Sequence, residues 1–242
     1  MAGFGVLISI FIVTSTSDGS GAAEAASGPG AFDSAGNLSV PGGFLTALGT
    51  TSQLAGIVLL SLWATAAASD YDTGLNRVLV QAQPNRLKLL GGKIIALTGF
   101  TVLATAVTTL TITFSARPLA RLDGIDTEPW RTDFFPELLS GYVNFLLPSL
   151  VWGLIGLFIA VRTRSSGVAI AAGIGYLLVV ENLIAIVADD ITDFLPGGTL
   201  AALAGGGTAD LAWAASLGLT LTYGVLAAAG ALLIFRKRDI TS

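Results

Sequence analysis

The sequence predicts an all-α, polytopic membrane protein with about six transmembrane helices and a cytoplasmic coupling helix between the second and the third. Three observations carry that prediction. Apolar runs of spanning length recur along the chain, separated by polar segments. Only 12% of residues are charged against 53% hydrophobic, and mean hydropathy is +0.78, whereas about a quarter of the residues of a soluble domain are charged. Basic residues gather in alternate connections, as expected of a chain threaded back and forth across a bilayer.

The elements follow in order, as one transmembrane domain over residues 1–242. Residues 1–15 are apolar but short of the roughly 20 that a span needs. A secretory signal peptide would fit the length, yet there is no basic start and no convincing small-x-small cleavage site directly after the run. The preferred expectation is a first span that starts within the headgroup region or lacks its beginning. Residues 16–43, rich in Gly, Ser and Ala with Asp18, Glu24 and Asp33, have a composition that builds no core and read as an exposed loop. Further spans are expected at residues 44–69, 94–114, 138–161, 168–187 and 211–235. Residues 115–136 read as a polar loop whose Trp130, Phe134 and Phe135 suit a membrane interface. Pro148 is expected to kink its helix by removing a backbone hydrogen bond. Residues 200–203, followed by Gly205, Gly206 and Gly207, are too few to cross and are at most re-entrant or interfacial. Gly153, Gly156, Gly173 and Gly175 are expected to let helices pack closely.

The segment at residues 70–93 organises the rest. Leu75, Val78, Leu79 and Ala82 recur at helical spacing on one side, with Asp72, Asn76 and Arg77 off it, which predicts a short amphipathic helix at the membrane surface. Pro84 ends that helix and can open the next, which carries Arg86, Lys88 and Lys93 into the third span. If this segment is cytoplasmic, nine of the 12 Lys and Arg residues fall inside: Arg77, Arg86, Lys88, Lys93, Arg162, Arg164, Arg236, Lys237 and Arg238. Only Arg117, Arg121 and Arg131 fall outside, so this orientation is predicted, with both termini cytoplasmic and a plasma-membrane location.

Residue types narrow the chemistry. The absence of Cys and His excludes disulfides, Cys/His zinc sites, axial-histidine haem and imidazole or thiolate catalysis. There is no Gly-x-Ser-x-Gly for a nucleophile and no Gly-x-x-x-x-Gly-Lys-Ser/Thr to cradle nucleotide phosphates. No enzyme activity, cofactor, resident metal or nucleic-acid partner is expected.

The order Thr73-Gly74-Leu75-Asn76-Arg77-Val78-Leu79-Val80-Gln81, then Gln83-Pro84-Asn85-Arg86-Leu87-Lys88-Leu89-Leu90-Gly91-Gly92-Lys93 into a span, resembles the cytoplasmic loop of ABC-2 type permeases, the membrane subunits of ATP-binding-cassette exporters. Leu195-Pro196 after the fifth span and the basic stop at Arg236, Lys237 and Arg238 are similar to the same family. The Thr-Gly order replaces the usual Gly-Thr, two glycines stand where one is usual, and the amphipathic helix that usually precedes the first span is missing.

That resemblance implies a permease that moves substrate out of the cytoplasm with ATP hydrolysed by a separate ATPase subunit. It implies pairing with a second copy or a paralogue, and ATPase docking on about residues 71–81, through Tyr71, Asp72, Leu75, Arg77, Val78 and Leu79. Asp70, Asp72 and Arg77 are equally readable as solvated charges at a helix entry, and Arg86, Lys88 and Lys93 as anchors to anionic lipid of the bilayer. Glu181 is the one ionisable residue well inside a predicted span and, with Asn182, is the candidate for a transport path. An alternative reading is a secondary transporter driven by an ion gradient through Glu181; a non-transporting membrane scaffold is a third. Asp189, Asp190 and Asp193 read as hydrated loop charge before a cation site.

Overall fold

A computed structural model describes residues 46–72, 86–122, 127–131 and 133–237. The expected first span, the loop after it and most of the loop between the next two spans lie outside the described residues. Among those described there are six helices and no strand. They are α1 (Thr46–Asp72), α2 (Arg86–Leu122), α3 (Phe134–Thr163), α4 (Ser166–Val187), α5 (Pro196–Ala204) and α6 (Trp213–Lys237). All but α5 are long and apolar enough to cross a membrane, which is compatible with a multi-pass protein.

The helices alternate in direction, so their ends collect on two faces. On the face that carries Lys88, Lys93, Arg162, Arg164 and Arg236, here the basic face, Ala67 and Ala68 of α1 pack with Leu90 of α2, Ala160 and Val161 of α3, Ala169 of α4 and Ala231 of α6. The turn there is sharp: Arg164 ends α3 in the left-handed region at φ 56°, and the Ser165 side chain then caps α4 by accepting from the Val168 N–H. An N-cap serine satisfies one of the donors that a helix start leaves free. On the opposite, distal face, Ala116 and Ala120 of α2 pack against Trp130, Phe134 and Leu138. This packing explains why α2 runs on to Leu122 across the first third of the expected polar loop, with exposed Pro118 inside it.

α1 and α3 form the centre. Glycines on α3 let the backbones meet: an added Cβ would lie 2.4 Å from the Leu60 carbonyl oxygen at Gly156 and 2.6 Å from the Trp63 ring at Gly153. Gly173 of α4 is likewise closed by the Leu60 side chain, at 2.5 Å. Gly175 departs from expectation, since nothing lies within 4 Å of its missing Cβ; the π turn that begins after it leaves it on an open side of α4. Gly175→Ala, with helix propensity gained and no neighbour to displace, is expected to leave the thermal unfolding midpoint in detergent unchanged or raised.

α2 is polar inside and apolar outside. Thr101, Thr105, Thr108, Thr109 and Thr113 are buried, whereas Ile95, Phe100, Leu103, Val107, Leu110 and Phe114 are exposed. Lipid is as apolar as leucine, so burying aliphatic side chains against one another gains little there; the Thr105 and Thr108 hydroxyls bond to carbonyls of α2 itself, and that of Thr101 takes part in an interhelical bond. Trp63 Nε1 donates to Thr101 Oγ1 at 3.0 Å across the α1–α2 contact, and Tyr142 of α3 donates to the Val102 carbonyl at 3.1 Å.

Candidate functional site

Two regions singled out in the sequence are placed very differently. Of the residues expected to dock an ATPase, Tyr71 and Asp72 close the last turn of α1, while Leu75, Arg77, Val78 and Leu79 lie outside the described residues. The root of that loop is well defined. Lys93 Nζ, one turn beyond the start of the apolar part of α2, donates to the Ala66 carbonyl of α1 at 2.6 Å. A cation there also complements the negative end of α1. Lys93→Met removes this donor and is expected to cost about 1–2 kcal/mol, seen as a lower unfolding midpoint in detergent.

The second region is built around Glu181. α4 is interrupted: an α-helical stretch over Ser166–Gly175 gives way to a π turn over Tyr176–Val180 and resumes over Glu181–Val187. The Glu181 N–H reaches back to the Tyr176 carbonyl, five residues away. Ala169, Gly173, Leu177 and Glu181 are all buried at four-residue intervals. A turn of 3.6 residues would carry such positions around the helix, and the wider π turn keeps Glu181 on the inner line. Its carboxyl group is 3% exposed and hydrogen-bonded to the Tyr176 phenol.

What Glu181 meets is a helix start. After α4, a 3-10 turn over Asp189–Phe194 leads the chain back into the bundle, and α5 runs outward again to Gly205, which packs 3.5 Å from an added Cβ on Gly49 at the distal end of α1. α5 has nine residues, about 14 Å of helix, too little to cross. Seven of the nine are buried, against α1, α3, α4 and α6. The expected short segment is thus a helix buried among the others. Irregular backbone at such depth needs internal partners for every polar group. Pro196 removes one free N–H at the first position of α5, the Gly197 N–H donates to Glu181 Oε1 at 2.7 Å, and the Thr199 N–H donates to the Leu195 carbonyl at 2.8 Å. Tyr223 of α6 donates to the Phe194 carbonyl at 2.5 Å, and the Thr199 hydroxyl to the Asp193 carbonyl at 2.7 Å.

Asn182, the neighbour of Glu181 in sequence, is on the other side of the helix. It is exposed, and its amide donates to the Leu178 carbonyl at 2.9 Å, satisfying backbone that the π turn loosens. The structure therefore separates the two residues expected to share a path. Asp193 is held through its carboxylate by the Thr208 hydroxyl at 3.0 Å, and among the described residues no group of three acidic side chains is placed to hold a metal. Tyr176, Gly197 and Tyr223 belong to the site and were not singled out in the sequence. The Pro-Gly-Gly run at Pro196, Gly197 and Gly198 is the signal that could have marked a helix start there; the two tyrosines carry none.

The arrangement sets a carboxyl group against the positive end of a short helix inside the bundle, with a phenol beside it. No protein-family model, curated protein or solved structure matches the chain.

Proposed function

We propose that the chain is the membrane-spanning permease of an ATP-driven exporter, of the ABC-2 type, which pairs with a second permease and takes its energy from a separate ATPase. What supports this reading is that α1 ends and α2 begins on the basic face, and that the sequence from 70 to 93 carries four of the chain's Lys and Arg residues, Arg77, Arg86, Lys88 and Lys93. The chain has no phosphate-cradling loop of its own, so the energy enters from outside it. The roots of the loop are tied by the Lys93–Ala66 bond, and α1 is packed on α3 with backbone in contact at Gly156, so a displacement applied at the loop is passed to the centre of the bundle. In this reading the basic face is cytoplasmic, both termini are inside, and nucleotide-driven closure of the ATPases selects one of two permease arrangements.

The test is to purify the tagged chain, expressed with its neighbouring genes, in mild detergent. An ATPase carrying a phosphate-binding loop is expected to co-purify with the wild type and to be lost from the Arg77→Glu plus Leu79→Asp variant. A folded wild-type chain that brings down no such ATPase would overturn the reading and select gradient-driven transport through Glu181.

A further inference from the structure

We propose that Glu181 is the latch of α5: the short helix leaves and regains its seat in the bundle on the breaking and making of the carboxylate contact to its N-terminus. The inference is independent of what energises the protein.

The seat is unlike the other helix contacts. α1 and α3 interlock through large side chains set into glycine positions, Trp63 over Gly153 and Trp152 over Gly56. α5 presents Gly197, Gly198, Thr199, Leu200, Ala202, Leu203 and Ala204, and Leu200 and Leu203 are its only large side chains. Small side chains permit close approach yet contribute few dispersion contacts each. At its distal end α5 meets α1 glycine to glycine, Gly205 against Gly49. The polar fixings are concentrated at the inner end, where Tyr223 holds the Phe194 carbonyl and Glu181, itself bonded to the Tyr176 phenol, holds the Gly197 N–H. A charged acceptor on a buried backbone donor is the strongest of these.

The fit around the carboxylate is also exclusive. An added Cβ on Gly197 would sit 1.8 Å from Glu181 Oε2, so the carboxylate occupies the space that any other residue at 197 would fill. Tyr176 and Tyr223 are the other titratable groups near it, from α4 and α6; α1 and α3 present Ile57, Leu60, Val151, Trp152 and Ile155 to the adjoining core. Among the described residues no cation is placed beside it, and the start of α5 is what the carboxyl group faces. Thr199 on α5 and Ser216 and Thr220 on α6 are buried hydroxyls in the two packed helices, and that of Thr220 has no hydrogen-bond partner among the described residues. Water reaching those hydroxyls stabilises the unseated form as the carboxylate stabilises the seated one.

The chain has no cysteine, so introduced pairs are the only thiols. Gly49→Cys with Gly205→Cys reports the seat of α5, since both positions accept a Cβ with no neighbour closer than 3.5 Å. Val151→Cys with Gly224→Cys, 3.1 Å from added Cβ to valine methyl, reports α3 against α6 and serves as control. The full-length chain in lipid vesicles is oxidised with copper phenanthroline and the rate of each cross-link is followed. Glu181→Ala is expected to slow the first pair about tenfold, and Glu181→Gln, which retains an acceptor without the charge, by about threefold, with the control pair unaltered in both. Gly197→Ala, which displaces the carboxylate, is expected to slow it as Glu181→Ala does. Equal rates for the first pair in wild type and in Glu181→Gln, with the control pair intact, would overturn the proposal and leave α5 held by packing alone. If Glu181→Ala slows both pairs, the Gln variant decides by the same comparison.

Discussion

Trp63→Ala is expected to destabilise the bundle by about 3–5 kcal/mol, a fall of roughly 10 °C in the thermal unfolding midpoint in detergent. Trp63 is fully buried, its ring covers Gly153 of α3, and its Nε1 donates to Thr101 of α2, so three helices meet on one side chain. In a bilayer the loss is one of dispersion contacts and not of hydrophobic transfer from water, because the neighbours of the cavity cannot follow one another inward without parting elsewhere. The polar component is smaller. Thr101 Oγ1 retains its own bond to the Leu97 carbonyl at 2.9 Å, so no hydroxyl is stranded. Trp63→Phe, which retains most of the ring, should therefore cost only about 1–2 kcal/mol. Equal midpoints for the Ala and Phe variants would show that the site collapses freely and that α1, α2 and α3 are not pinned there.

Gly156→Ala is expected to cost about 2–3 kcal/mol, for a different physical reason. The added methyl would stand 2.4 Å from the Leu60 carbonyl oxygen, 3.0 Å from its carbon and 3.1 Å from its Cα. All three atoms are backbone, so no rotamer change relieves the clash and α1 must step away from α3 along several turns. Gly99→Ala on the exposed side of α2, where nothing lies within 4 Å, is the matching control and should leave the midpoint unchanged or raise it. If Gly156→Ala unfolds at the wild-type temperature, the close approach of α1 and α3 is not what sets their spacing.

The spans were legible because their signal is simple. Length, hydropathy and the absence of charge over about 20 residues predict a crossing helix whatever surrounds it. α3 and α6 accordingly begin and end within a few residues of the expected bounds, and the short 200–203 segment was legible as non-crossing for the same reason. The α2 extension to Leu122 was not legible, since Arg117, Pro118 and Arg121 look like a loop until Ala116 and Ala120 are seen to seat Trp130. Glu181 was legible as exceptional, because an ionisable group inside a span stands out by composition. Its partner was not. A backbone N–H has no side chain to read, and whether it is free depends on a helix starting at Pro196, a tertiary fact carried only faintly by Pro-Gly-Gly. The opposition of Asn182 to Glu181 follows directly from helical geometry, which turns adjacent residues about 100° apart.

The burial of α5 bears on how the protein is made. A span such as α4 or α6 can enter the bilayer on its own hydropathy and find its neighbours later, but α5 is too short for that. Its surroundings include α6, which is synthesised after it, and the Tyr223 hydroxyl that fixes Phe194 arrives only once α6 has been threaded. The seat of α5 is therefore completed only after α6 has been made. A chain stopped before Trp213 would keep the Gly197–Glu181 bond as the polar fixing of this helix to a span and would lack both the Tyr223 bond and the wall that α6 provides.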